Sequence, residues 1–256
     1  MISKLSIIGS GNAAFVLGES LHKSGLTIYE ISSRNQEDGK KLANLTNSSY
    51  TPIDKLDLSV DIILICISDS AIKEVSNNIK NYNGIAIHCS GSIDIDDLLP
   101  IKKRAVLYPF VSMIKNTDTN FADVSIFIEA NNENILNLVS SIANLLTNNV
   151  ITLSSSQRIK LHIAGVFANN FVNHILHLSQ ELLEENNLDF NLIKPLINNY
   201  FKKLEMTNPS LLQTGPAIRQ DEFTLEKHKD FLSSSPILHE IYSLISKSIQ
   251  QKHKHG

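Results

Sequence analysis

Residues 5–25, LSIIGSGNAAFVLGESLHKSG, decide how this chain folds. Leu5, Ile7 and Ile8 make a short apolar run of the kind that forms a buried parallel strand. Gly9-Ser10-Gly11 follows at once, and Asn12 is placed to cap a helix that opens with Ala13 and Ala14. Strand, glycine turn and helix start, in that order, are the context a G-x-G-x-x-G/A dinucleotide fingerprint requires. Gly9 permits the tight turn, Gly11 lets a pyrophosphate approach the main chain, and Ala14 keeps the helix close to the strand. The free N–H groups and positive end of the helix then face the phosphates.

Outward from this stretch the pattern alternates. Strand-like runs occur at 26–31, 61–67, 84–88, 105–108 and 125–129, with a last one at 150–153. Helical periodicity appears at 13–23, 37–46, 70–81 and 132–146. This order predicts an α/β class: a Rossmann dinucleotide-binding domain with a largely parallel sheet and right-handed crossovers. After Ser154 the character changes. Residues 157–185 contain no proline and repeat apolar residues at helical spacing (Leu161, Ala164, Ala168, Phe171, Ile175, Leu178, Leu182), which predicts one helix of roughly eight turns. Asp189 is placed to cap a helix to about 203, with Pro195 giving a kink or a late start. Further helices are expected at 223–232 and 237–250. The expected domains are therefore 1–153, binding NAD(P), and 154–256, all-helical.

Bulk composition excludes several function classes. The 256 residues carry a net charge of -3, so no global positive field invites nucleic acid or acidic lipid. The basic end at 247–255 reads as a short solvated helix tail. No apolar stretch is long enough to cross a bilayer, and MISKLSIIGSG is too short and too soon broken by glycine for a signal peptide. Cys66 and Cys89 read as buried free thiols rather than a disulfide or metal pair, pointing to the cytoplasm. No histidine spacing resembles a zinc site.

The exit of the second strand bears on which cofactor fits, because it reaches the adenosine ribose. Here it reads Ile31-Ser32-Ser33-Arg34-Asn35, and two hydroxyls with a guanidinium suit the 2′-phosphate of NADP better than the ribose of NAD. Glu30 competes as an NAD-type acid but stands before the exit, as a strand residue. Three later exits hold candidate chemistry. Ile67-Ser68-Asp69 begins a helix, with Asp69 read as its cap. His88 either touches substrate or, the favoured reading, is a strand-end histidine hydrogen-bonded in the core. Cys89-Ser90-Gly91-Ser92 follows, whose small residues let a nicotinamide or substrate approach. The third is Tyr108-Pro109-Phe110.

On the long predicted helix, Arg158, His162, Asn169, Asn173 and His177 step by four, seven, four and four, which puts them on one α-helical face. Asn170 and His174 form an adjoining polar line, and Gly165 with Val166 leaves room opposite. Such a face either meets solvent or lines a cleft. In a cleft, His162 is the candidate proton donor and Asn169 and Asn170 the substrate orienters. In the loop 213–221, Arg219 is a candidate carboxylate clamp with Asp221 or Thr224 bracing its fork; equally, Asp221 caps the next helix and Arg219 pairs with it structurally.

GSGN at 9–12, ISSRN at 31–35, ISDSAI at 67–72, HCSGS at 88–92, YPF at 108–110, LHIAGVFANNFVNH at 161–174 and QTGPAIRQD at 213–221 together resemble a family of Rossmann-like NADP oxidoreductases with a C-terminal helical domain of unknown function. The wider superfamily includes pyrroline-5-carboxylate reductase, ketopantoate reductase and the 6-phosphogluconate dehydrogenases. The resemblance implies an NAD(P) domain and a helical domain that makes a homodimer and closes the active site. Some residues depart from the superfamily. The Lys and Asn that β-hydroxyacid dehydrogenases place four residues apart become Lys160 and Ala164. Tyr108 stands where relatives often have His, and Gln220 where Gly is common. Two readings follow: an NADP-dependent reductase of a small carbonyl or imine carboxylate, or a non-catalytic NADP-binding sensor or dimeric scaffold.

Overall fold

The computed structural model describes residues 4–253, so Lys254 and His255 of the basic tail lie outside the described residues. Two compact units result, Met1–Ala168 and Asn169–Gly256.

In the first unit, β1 (Leu5–Ile8), α1 (Asn12–Lys23), β2 (Ile28–Ser32), α2 (Gln36–Leu45) and the short β3 (Ser49–Thr51) form one half of a wound sheet. The other half holds β4 (Ile62–Ile65), α3 (Ile72–Asn78), β5 (Ile85–His88), β6 (Lys103–Pro109), β7 (Ile126–Ala130), α4 (Glu133–Ala143) and β8 (Val150–Thr152). The strand order is β3-β2-β1-β4-β5-β6-β7-β8. All pairs are parallel except β6 with β7, which run antiparallel with Tyr108 opposite Phe127. The chain winds outward from β1 in both directions, so the crevice of a doubly wound sheet opens at the carboxyl ends of β1 and β4.

The strands hold their place because both faces are covered. In β4, Ile62 and Leu64 join the core beneath α1, α2 and α4, while Ile63 and Ile65 join a second core with Ile72, Ile79 and Leu98. That two-residue alternation with apolar side chains on both sides is what a central parallel strand requires. Each of these fully buried aliphatic side chains contributes about 1.5–3 kcal/mol relative to exposure.

From Ser155 onward the chain is helical: α5 (Ser155–Gly165), a π-helical segment (Val166–Phe171), α6 (Val172–Glu185), α7 (Lys194–Leu204), α8 (Glu222–Phe231) and α9 (Pro236–Lys252). A capping box starts α5, with the Ser154 side chain on the Gln157 N–H and Gln157 reaching back to Ser154. The expected single helix over 157–185 is thus interrupted by wider i→i+5 turns, a feature frequent at functional sites. Asp189 caps a short 3₁₀ turn rather than α7, which begins late, with Pro195 in its first turn.

Among the described residues, the second unit buries few apolar side chains. Ala217, Leu225 and Leu232 are buried, whereas Leu196, Met206, Phe223 and Leu244 are each at least 70% exposed. An apolar groove of about 510 Å³ runs between Ile175, Leu178, Leu182, Phe231, Ile241 and Ile245. No described helix is long and apolar enough to cross a membrane.

Candidate active site

The glycine turn is built for two separate reasons. Gly9 has φ +130°, and a Cβ there would lie 2.0 Å from the Cys66 carbonyl oxygen, so the fold itself demands glycine. Its N–H donates to the Ser32 carbonyl at 2.8 Å, tying β1 to the β2 exit. Gly11 is different. It takes an ordinary extended conformation, φ -80° and ψ -174°, as the cap residue of α1 with no side-chain cap. A Cβ on it would meet nothing within 4 Å. Folding alone leaves room for a side chain at Gly11, and an open, uncapped helix N-terminus behind it is what a diphosphate needs. Ser10 is buried, Ala13 half-buried and Ala14 fully buried against the core, as the fingerprint requires. Gly9, Ser10, Gly11, Asn12, Ala13 and Ala14 therefore fit a dinucleotide. Asn12, expected as the cap, is instead the first helical residue, and its Oδ1 accepts from the Lys115 N–H at 3.2 Å.

At the β2 exit, Glu30 is buried and accepts the Asp57 N–H at 2.9 Å, so it acts within the fold. Ser32 and Ser33 are buried as well, and the Ser33 hydroxyl donates to the Asn35 carbonyl at 2.7 Å. Arg34 is exposed. Asn35 caps α2 by accepting the Asp38 N–H. Lys115, which sequence reading passed over, places its Nζ 2.8 Å from Asp38 Oδ2 and 4.6 Å from the Phe15 ring centroid. That ammonium holds the Asp38 carboxyl below its ordinary range. At the next exit, Ser68 is exposed and Ile67 half-buried beside Gly9. Asp69 does not cap: it is the first residue of a 3₁₀ turn whose cap position is Ser68.

Beyond β5 and β6 the structure brings together residues far apart in sequence. Tyr108 Oη lies 2.9 Å from His162 Nδ1, and the rings meet edge-on at 6.0 Å. Both sit on Gly91, where a Cβ would be 2.6 Å from His162 Nδ1 and 2.8 Å from Tyr108 Oη. Smallness at Gly91 thus admits this pair. The Ser90 hydroxyl accepts the N–H groups of Ser92 and Ile93. Burial pushes the Tyr108 phenol above its ordinary value; Arg158 opposes this and Asp69 reinforces it. Gly165 offers no empty space, because a Cβ there would lie 2.7 Å from the Phe110 ring.

Arg158 leaves the polar face expected of it. Only 1% exposed, it pairs with Glu129, donates to the Ile93 carbonyl and reaches Ser155 Oγ at 3.1 Å. Glu129 also accepts the Ser155 N–H at 2.9 Å and hydroxyl at 2.8 Å. The first turn of α5, which carries His162, is bolted in this way to β7 and to the segment after Gly91. His88 is fully buried and accepts the Ser90 N–H on Nδ1. Burial, then Arg158, push its pKa down to about 3 against a weaker pull from the Asp94 backbone, so this imidazole is neutral.

In the second unit, Asn169 and Asn170 lie on the exposed π-helical segment, and the α-helical count that aligned Asn169 with Arg158 and His162 and put Asn170 on the adjoining line does not run through it. Asn173, His174 and His177 are exposed on α6. Arg219 is exposed in its loop, and Asp221 takes the capping role, with its carboxylate on the Thr224 N–H and hydroxyl. Gln220 adopts φ +54°, the left-handed conformation that glycine takes at no steric cost.

Residues 4–87 match a family described as NADP oxidoreductase coenzyme F420-dependent, and residues 124–249 one described as Domain of unknown function (DUF2520). A Bacteroides fragilis structure designated an NADP oxidoreductase is 31% identical, covers 97% of this chain and 98% of its own, and has a TM-score of 0.90. A Thermotoga maritima protein is 21% identical over 96% of this chain and 99% of its own, with a TM-score of 0.76. Plasmodium falciparum pyrroline carboxylate reductase, solved with NADP bound, shares the fold at 18% identity and a TM-score of 0.57, over 96% of this chain and 98% of its own. No curated protein matches the chain. The likeness to the Bacteroides structure spans nearly all of both chains, and the protein belongs to the family of Rossmann-fold NADP oxidoreductases that carry the DUF2520 helical domain.

Proposed function

We propose that the protein is an NADP-dependent reductase or dehydrogenase of a small carbonyl or imine metabolite bearing a carboxylate. The observation that carries this reading is the Tyr108–His162 pair seated on Gly91 beyond the strand ends. Gly9, Ser10, Gly11, Asn12, Ala13 and Ala14 hold the diphosphate; Ser32, Ser33 and Arg34 surround the adenosine ribose; Ile67, Ser68, Ser90 and Gly91 border the nicotinamide. When bound, the dinucleotide supplies or accepts the hydride. In reduction His162 works as imidazolium: its Nδ1–H donates to Tyr108 Oη, and its Nε2 proton passes to the substrate oxygen or nitrogen, leaving neutral imidazole. Burial keeps the Tyr108 phenol protonated, so its oxygen orients the ring without competing for that proton. Asn169 and Asn170 orient the substrate and Arg219 clamps its carboxylate. NADP is preferred over NAD on the strength of Arg34.

Residues 1–153 serve the cofactor and 154–256 the substrate and a homodimer, which the exposed Leu196, Met206, Phe223 and Leu244 and the apolar groove support. The economy of two free cysteines supports a cytoplasmic setting. Nothing in the composition calls for nucleic acid or membrane as partner.

His162→Gln, assayed for NADPH consumption across a panel of keto and imino acids, tests the chemistry. Turnover is expected to fall about 10²–10⁴-fold with NADPH affinity intact; unchanged turnover removes His162 from the role. The superfamily's Lys–Asn pair, replaced here by Lys160 and Ala164, favours the second reading, a non-catalytic NADP sensor or scaffold. Wild-type protein that binds NADPH yet consumes it with no member of the panel would establish that reading instead.

A further inference from the structure

The segment between β6 and β7 links the two ends of the candidate cofactor site. It leaves β6 just after Tyr108, and its base is closed by the Phe110 N–H donating to the Ser125 carbonyl at 2.9 Å. Buried Phe121 and the partly buried Val111 and Met113 pin it to the core. At its tip Lys115 is held three ways. Its N–H donates to Asn12 Oδ1 on the first turn of α1, its ammonium pairs with Asp38 on the first turn of α2, and that ammonium lies over the Phe15 ring. An ammonium offers three donors, and its side chain remains 25% exposed, so donors are left for a ligand.

We infer that Lys115 is a ligand of the adenosine 2′-phosphate and a determinant of NADP over NAD preference. This rests on the dinucleotide reading of the glycine turn. The position favours the 2′-phosphate over the diphosphate: the ammonium's polar partner is Asp38 on the first turn of α2, just past the β2 exit that reaches the ribose. On α1 it touches only the Phe15 ring, one turn beyond the Gly11 N-terminus where a diphosphate would lie. Asp38 makes the case sharper. A carboxylate four residues after Arg34 repels a phosphate dianion unless a cation neutralises it, and Lys115 does so. Without Lys115, Asp38 disfavours NADPH while leaving the 2′-hydroxyl of NADH untouched.

The experiment is a calorimetric titration of NADPH and NADH, at one salt concentration, into wild type, Lys115→Met, Lys115→Arg and the Lys115→Met/Asp38→Asn double variant. Loss of one charged hydrogen bond corresponds to about a 10- to 100-fold weaker NADPH affinity for Lys115→Met. NADH affinity is expected to change by less than about threefold, Lys115→Arg to keep the preference, and Asp38→Asn to restore part of the NADPH loss. Equal loss for both nucleotides, or no loss for either, overturns the assignment while wild-type NADPH binding leaves the dinucleotide reading standing. Failure of wild type to bind either nucleotide overturns that reading and this inference with it.

Discussion

Replacing Gly91 with alanine places one methyl group in the Tyr108–His162 contact. The added Cβ would lie 2.6 Å from both His162 Nδ1 and Tyr108 Cζ, where ordinary contact begins at 3.4 Å, a shortfall of about 0.8 Å. Neither ring swings away freely. His162 rides on a helix whose first turn is fixed by Arg158 and Glu129, and Tyr108 on a strand paired on both sides. Overpacking of this kind costs about 1–3 kcal/mol, which for a chain of this size lowers Tm by roughly 2–12 °C. Separating the pair by most of an ångström also spoils the 2.9 Å hydrogen bond, and a misplacement near 1 Å costs on the order of 10²-fold in turnover. Calorimetric melting, NADPH titration and single-turnover NADPH oxidation read the three quantities separately. Lower Tm and lower turnover at saturating NADPH is the expected pattern, the titration reading any effect of the methyl group on the nicotinamide border separately. A Gly91→Ala protein with wild-type stability and turnover would refute the idea that this glycine exists to seat the pair.

Glu129→Ala strands the buried Arg158 guanidinium and is expected to cost about 3–5 kcal/mol in chemical denaturation, with Glu129→Ala/Arg158→Met recovering much of it; a loss below about 0.5 kcal/mol would show the pair to be dispensable. His88 binds its proton near pH 3 when folded but near 6.5 when unfolded, so the unfolded chain holds more protons between those values. Stability should therefore be fully present above about pH 6.5 and fall by up to about 1.4 kcal/mol per pH unit toward pH 3. His88→Asn, which keeps an acceptor for the Ser90 N–H, should flatten that limb, and an unchanged slope would assign it to other groups.

The sheet was legible because its signals are local. Apolar runs announced every strand but β3, whose sequence Ser-Tyr-Thr at the sheet edge contains no apolar run to find. The glycine turn was legible for the same reason, within six consecutive residues. What stayed hidden is what tertiary contact decides. Tyr108 and His162 are separated by 54 positions, Arg158 and Glu129 by 29, and Lys115 and Asp38 by 77, so no periodicity could pair them. Arg158 looked like a member of a polar face because helical spacing counts a buried, ion-paired arginine the same as a solvated one. The π-helical turn left no mark either, since residues 166–171 contain no proline or glycine to break an α-helical count. Asn12 misled in a simpler way: its type suits a cap, but the Lys115 N–H claims its side chain and Gly11 takes the cap position. Ser154 and Gln157, by contrast, form a readable S-x-x-Q box that would have set the start of α5 two residues earlier.

If the opening glycine turn grips a dinucleotide diphosphate, a side chain at Gly11 interferes with the ligand and not with the fold, because a Cβ there meets nothing within 4 Å. Titrate NADPH calorimetrically into wild type and Gly11→Ala, whose stabilities should agree within about 1 kcal/mol. The expected result is saturable binding to wild type and at least a tenfold loss, about 1.4 kcal/mol, in the variant. Equal affinity in the two proteins, or no heat from NADPH with wild type at millimolar concentration, would show that the turn does not hold the diphosphate.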